Sequence, residues 1–286
     1  MVPLAILFAF GLAIGSFLNV VVVRYRGDGF FSLSRISGRS MCPRCHARLA
    51  WYDLVPVLSF AWLRGQCRSC RAPISFQYPL VELATGFAFV LAASYFHLHY
   101  LFPVAHPYAL LFAFGWGVVM VALIALSAVD MRLMLIPNEL SGTIAFVGLI
   151  FAALHEVAGF SDSFLGNYAS LFPRASEPFL NHALGGAAGL ALLGSIVILT
   201  RGRAMGMGDV KLAGAMGLVI GFPDIVFALA FGFLAGGAWG IGLVLARSGE
   251  ARATMKSMVP FGPFLVLGFL AHVFFGHALF AWYFSL

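Results

Sequence analysis

The 286-residue chain is 62% hydrophobic and only 10% charged, with a net charge of +6 at pH 7 and a mean hydropathy of +0.97. Soluble domains average roughly 45–50% apolar and about 25% charged residues, so this much apolar surface needs lipid as its solvent and a soluble globule is excluded. The positive balance is accounted for by membrane topology and anionic head groups, and no compact basic domain is left to bind nucleic acid.

A hydrocarbon core of roughly 30 Å is crossed by about 20 helical residues. Runs of suitable composition are predicted, in chain order, at Val2 to Val23, Tyr78 to Phe96, Tyr108 to Val129, Leu140 to Phe160, His182 to Thr200, Leu212 to Phe222, Ile225 to Ala246 and Pro260 to Phe284. They are continuous rather than alternating, which favours helices over a membrane barrel. The first run ends in Val23-Arg24-Tyr25-Arg26 with no small-residue cleavage site, so it is predicted to be a retained span and not a signal peptide. The expected fold is an all-α polytopic membrane protein with about eight transmembrane helices. Leu212 to Phe222 is the weakest of them, because eleven residues rise only about 17 Å. No internal repeat stands out.

If each run crosses once, the polar loop Arg24 to Gln77 shares a side with the segments near residues 130, 201–211 and 247–258. Of the 17 Lys and Arg residues, all but Arg174 fall on that side, nine of them in the first loop. Such a bias places this side in the cytoplasm and both termini outside. The expected organisation is a first helix (1–23), a cytoplasmic loop (24–77) and a membrane core (78–286).

The four cysteines all lie in the first loop, as Cys42-Pro-Arg-Cys45 and Cys67-Arg-Ser-Cys70. Two C-x-x-C turns can converge four thiolates on a tetrahedral Zn²⁺, and a loop with little apolar sequence needs such a staple to fold. Disulfides are disfavoured in a reducing cytoplasm. His46 follows the first turn, where four thiolates already complete a structural site, and is expected at the surface.

Three of the eleven acidic residues, Glu82, Asp130 and Asp209, lie in or against apolar segments, where an ionisable group is costly and marks a functional candidate. Asp130 ends the third span and Asp209 precedes the short sixth one, so topology sets both at one membrane depth. Two carboxylates brought together share protons, supplying the acid and the base of aspartic protease chemistry. Pairing of Asp130 with Arg132 and of Asp209 with Lys211 is the structural alternative. Glu82 is expected mainly as a structural partner of the loop, and Glu156 and the histidines as interfacial side chains towards the outer face.

Taken together, Gly15-Ser-Phe-Leu-Asn-Val20, the two cysteine turns, Tyr78-Pro-Leu-Val-Glu82, Asp130 with Ile136-Pro137, Gly206-Met-Gly-Asp-Val-Lys211 and Pro260-Phe-Gly-Pro263 resemble the bacterial type IV prepilin peptidases over essentially the whole chain. The resemblance implies a membrane aspartic peptidase of the G-x-G-D type with Asp130 and Asp209 as its dyad, supported by Gly206, Gly208 and Lys211. It further implies cleavage of prepilins and pseudopilins of type IV pili and type II secretion after a glycine on the cytoplasmic face of the bacterial inner membrane. Methylation of the new terminus from S-adenosylmethionine follows in the full-length form, and Asn19, Gly65 and Glu82 are the residues associated with it. Asn138 departs from the Asp found in many relatives. Rival readings are a peptidase without methyl transfer, its cysteine loop only a zinc-held platform, and a transporter or assembly scaffold in which the aspartates relay protons.

Overall fold

The computed structural model describes residues 4–27, 29–31, 38–96, 108–158, 177–246 and 259–284. The stretch 159–176, the histidines His97, His99 and His106, and the basic residues of 247–258 lie outside the described residues. The nine α-helices within them are α1 (Leu4–Arg24), α2 (Leu58–Trp62), α3 (Gln77–Phe96), α4 (Ala109–Leu133), α5 (Asn138–Ala158), α6 (Pro178–Leu199), α7 (Met207–Ile220), α8 (Asp224–Ala246) and α9 (Gly262–Phe284). Among the described residues there is no strand beyond two isolated bridges.

Each predicted apolar run coincides with a helix over most of its described residues. Among the described residues six helices, α1, α4, α5, α6, α8 and α9, are long and apolar enough to cross a membrane, which makes this a multi-pass membrane protein. The chain divides into two compact units, Met1–Val129 and Asp130–Leu286, with the boundary inside α4.

In the first unit α1 packs along α3. The contact is close because of small residues: a β-carbon on Gly15 would lie 2.7 Å from the Glu82 Cα. Asn19, 2% exposed, donates from Nδ2 to the Tyr78 carbonyl at 2.9 Å and ties the end of α1 to the start of α3.

The second unit is organised around α7, which packs against α5, α6 and α8. It starts earlier than predicted, at Met207, and has 14 residues, nine of them buried. That is about 21 Å of helix. A helix enclosed by its neighbours need not match the hydrocarbon thickness, since its backbone groups are shielded by protein. Glycines permit the enclosure: a β-carbon on Gly217 would fall on the Gly185 carbonyl, and one on Gly189 on the Ala213 carbonyl. Close approach of backbones through small residues is how helices associate where no hydrophobic effect drives them together.

The inner histidines differ from the interfacial expectation. His155 and His182 are each 4% exposed and His272 is fully buried. His155 and His182 stack with ring nitrogens 2.8 Å apart, and His182 also reaches the Leu218 carbonyl at 2.9 Å. His272 lies 2.6 Å from the fully buried carboxylate of Asp224. Polar side chains held within an apolar bundle satisfy one another rather than reach for head groups.

Candidate active site and metal centre

Asp130 occupies the last turn of α4, one residue beyond the predicted end of that span, and is 5% exposed. Its Oδ2 accepts a 2.9 Å hydrogen bond from the backbone amide of Gly262, the first residue of α9. An open helix N-terminus offers donors and a partial positive charge to a carboxylate. A β-carbon on Gly262 would stand 2.8 Å from that oxygen, so a larger residue there must displace the carboxylate. Sequence reasoning missed this residue, although Pro260-Phe-Gly-Pro263 was among the distinctive segments.

Asp209 lies in the first turn of α7, where its Oδ2 accepts from the Gly206 amide at 3.2 Å and closes the helix start. This is the reach-back of an N3 carboxylate to the capping residue. The two glycines of Gly206-Met-Gly208 serve different ends. Gly206 has an ordinary extended conformation (φ −86°), while a β-carbon on Gly208 would meet the Ile136 side chain at 2.9 Å. Gly208 therefore admits the Ile136-Pro137 turn against α7. Lys211 donates to Asn138 Oδ1 at 2.9 Å. Within the second unit Asp130 and Asp209 come close enough for the charge of one to act on the other.

The cysteine loop is a second centre, built within the first unit. All four Sγ atoms lie within 4.8 Å of one another, and Cys42 and Cys70 are 3.9 Å apart. Four sulfurs about 2.3 Å from a tetrahedral zinc stand about 3.8 Å from each other, so the cluster could hold that ion. The two turns repeat each other 25 residues apart. Cys42 N bonds the Ala47 carbonyl as Cys67 N bonds that of Ala72, and Leu49 N bonds the Ser40 carbonyl as Ile74 N bonds that of Gly65. His46 and Arg71 take the same left-handed conformation, each with φ 56°. Donation from the backbone amides of Cys45 and Arg44 holds the Cys42 thiol down at about 6. At Cys45 a backbone bond from Ala47 is outweighed by desolvation and the neighbouring thiols, which push it up to about 11. Four thiolates at this spacing need a cation among them.

The residues expected to serve methyl transfer hold the first unit together. Glu82 Oε2 accepts from the Val57 amide at 2.8 Å, at a point where the loop turns with φ 60°. Gly65 takes φ 69° against the Phe60 ring and starts the second cysteine turn. Asn19 Nδ2 and Glu82 Oε2 are thus both engaged by backbone.

Residues 9–96 match the family model of the bacterial peptidase A24 N-terminal domain, and residues 117–241 match that of the type IV leader peptidase family. The prepilin leader peptidase/N-methyltransferase of Aeromonas salmonicida (strain A449) is 31% identical to this chain, with 98% of this chain and 94% of the relative covered. The protein of the same name from Bacillus subtilis (strain 168) is 33% identical, covering 98% and 97%. That from Burkholderia pseudomallei (strain 1026b) is 35% identical, covering 96% and 85%. No solved structure matches the chain.

Proposed function

The chain belongs to the type IV leader peptidase family, and on that premise we propose that it removes the leader from prepilins and pseudopilins with Asp130 and Asp209 as its catalytic pair, then N-methylates the new terminus. The observation that carries this reading is that two carboxylates from opposite helix ends, one closing α4 and one opening α7, lie near enough in the second unit for the charge of Asp130 to act on Asp209.

Two such groups do not both ionise cheaply, so one keeps its proton while the other is charged. The charged carboxylate takes a proton from water as that water adds to the peptide carbonyl, and the protonated one donates to the carbonyl oxygen. The departing amine then collects a proton as the carbon–nitrogen bond breaks. The amides of Gly262 and Gly206 each hold one carboxylate oxygen, Oδ2, in place and leave Oδ1 of each aspartate for this exchange. Gly206 and Gly208 are supporting residues in this scheme, and Lys211 fixes the turn at Asn138.

Residues 78–286 form the peptidase core of this reading, and residues 24–77 the loop associated with methyl transfer. Cys42, Cys45, Cys67 and Cys70 hold Zn²⁺ as a structural ion, and S-adenosylmethionine supplies the methyl group. The Lys and Arg distribution supports a cytoplasmic catalytic side, periplasmic termini and eight crossings of the bacterial inner membrane.

The test is co-expression with a prepilin bearing a Gly-Phe junction, comparing the native chain with Asp130→Asn and Asp209→Asn by intact mass. Stable insertion with loss of cleavage in both is the expected result, and methylation of a pre-cleaved substrate by the same variants separates the two activities. Cleavage retained in either variant overturns the dyad.

A further inference from the structure

A groove of about 660 Å³ runs between α5, α6 and α7, and Gly214, Ala215 and Leu218 of α7 form its floor. Lys211, Asn138 and Ser141 make the mouth polar, while the rest of the lining is Gly, Ala and Leu. Lys211, Gly214, Ala215 and Leu218 recur at helical spacing along one face of α7. Asp209 falls on the opposite face, in register with the buried Ala213, Met216 and Ile220. The groove is therefore separate from the carboxylate pair.

Its mouth is arranged for an anion. Lys211 is exposed and its described partner is the neutral Asn138 amide oxygen, so its charge is not cancelled by that contact. Among the described residues no carboxylate lines the groove; Glu139 shares the first turn of α5 but is not part of the lining. The helix α5 begins here at Asn138, and its N-terminus adds partial positive charge; the start of α7 is already closed by Asp209. The hydroxyl of Ser141, a residue only 5% exposed, is buried in the groove wall without a hydrogen-bond partner. An unsatisfied buried hydroxyl is costly and calls for an acceptor or donor from outside.

We propose that this groove is a binding site for one anionic phospholipid. An acyl chain lies along the small-residue floor, and the phosphate sits at the mouth against Lys211 and the N-terminus of α5, within reach of the Ser141 hydroxyl. Basic pockets between membrane helices take anionic head groups in this way. The assignment rests on the packing of the second unit in a membrane and not on the peptidase reading.

The full chain, purified and delipidated in detergent, is titrated with dioleoylphosphatidylglycerol and dioleoylphosphatidylcholine and observed by native mass spectrometry. One phosphatidylglycerol is retained, and preferred over phosphatidylcholine by about fivefold, the factor expected for one head-group charge at a lysine. Lys211→Gln, at an exposed position, removes the preference and leaves weak binding of both lipids. Ala187→Phe fills the groove and removes retention; Ala145→Leu, a smaller filling, weakens it if the larger change unfolds the protein. Unchanged thermal unfolding shows that a variant is folded. Equal retention of the two lipids by the native chain, or a preference that survives Lys211→Gln and a folded groove-filling variant, overturns the site. Complete displacement by inorganic phosphate assigns the mouth to a free anion and overturns it too. If a filled groove keeps phosphatidylglycerol but loses crosslinking to the apolar segment of a prepilin, the groove holds the substrate helix instead.

Discussion

Around the cysteine cluster Trp62 is 85% exposed and Trp51 78%, whereas on α7 Leu212, Ala213 and Met216 are fully buried. The loop places its large apolar side chains outward and is ordered by repeated backbone hydrogen bonds about four sulfurs. Helix α7 buries most of its apolar side chains against its neighbours and is ordered by backbones that touch through glycine. A segment that buries little must borrow stability from a metal, while one that buries a whole helix supplies its own. The two regions should accordingly fail independently and under different insults.

The largest effect is expected from removing the metal. Structural zinc contributes on the order of 10 kcal/mol to small domains that depend on it. Cys42→Ser with Cys67→Ser should abolish a one-to-one zinc content and open residues 38–77 to protease, while the bundle keeps its protection from hydrogen exchange. Next comes the reverse insult, Gly217→Val, whose added carbons meet the Gly185 backbone and should cost about 3 kcal/mol of bundle stability. Thermal unfolding would register that loss with zinc still bound. If either change destabilises both regions alike, the contrast between them is wrong.

A smaller change reaches the site itself. Gly262→Ala sets a β-carbon against the Asp130 carboxylate, and a displacement of about 1 Å near a reacting group costs up to about 100-fold in rate. Prepilin cleavage should fall by that order with melting temperature nearly unchanged. Smallest is Glu82→Gln, which keeps an acceptor for the Val57 amide but loses its charge and should cost about 1 kcal/mol in the first unit. A change in cleavage without any change in that stability would point to a direct role for Glu82.

All eight apolar runs could be read as helices because a membrane segment announces itself by composition. Their ends were less legible, for reasons that lie in tertiary contacts. The start of α7 moved to Met207 because Asp209 bonds back to Gly206. α4 ran on to Leu133, which brings Asp130 into the helix whose last turn it occupies. The four cysteines were recognisable as one cluster from spacing alone, yet the 25-residue correspondence of their surroundings was not. It is carried by backbone bonds, and the two turns share little sequence beyond the cysteines and Ala47 with Ala72. The bond from Gly262 to Asp130 spans 132 positions, and no local pattern foretells it. Asp224 and His272 were not legible as a pair because one opens a helix and the other lies in the middle of another, 48 positions on, so only their contact reveals the partner.

The central claim is that Asp130 and Asp209 act as one chemical unit, and the direct measurement is the rate of prepilin cleavage by Asp130→Asn, Asp209→Asn and the double variant in the same membranes. Groups that share one step are strongly non-additive, so each single change should lower the rate at least about 100-fold and the double variant should be no slower than the slower single one. Losses that multiply in the double variant, or a single variant that still cleaves at near the native rate, would contradict the account.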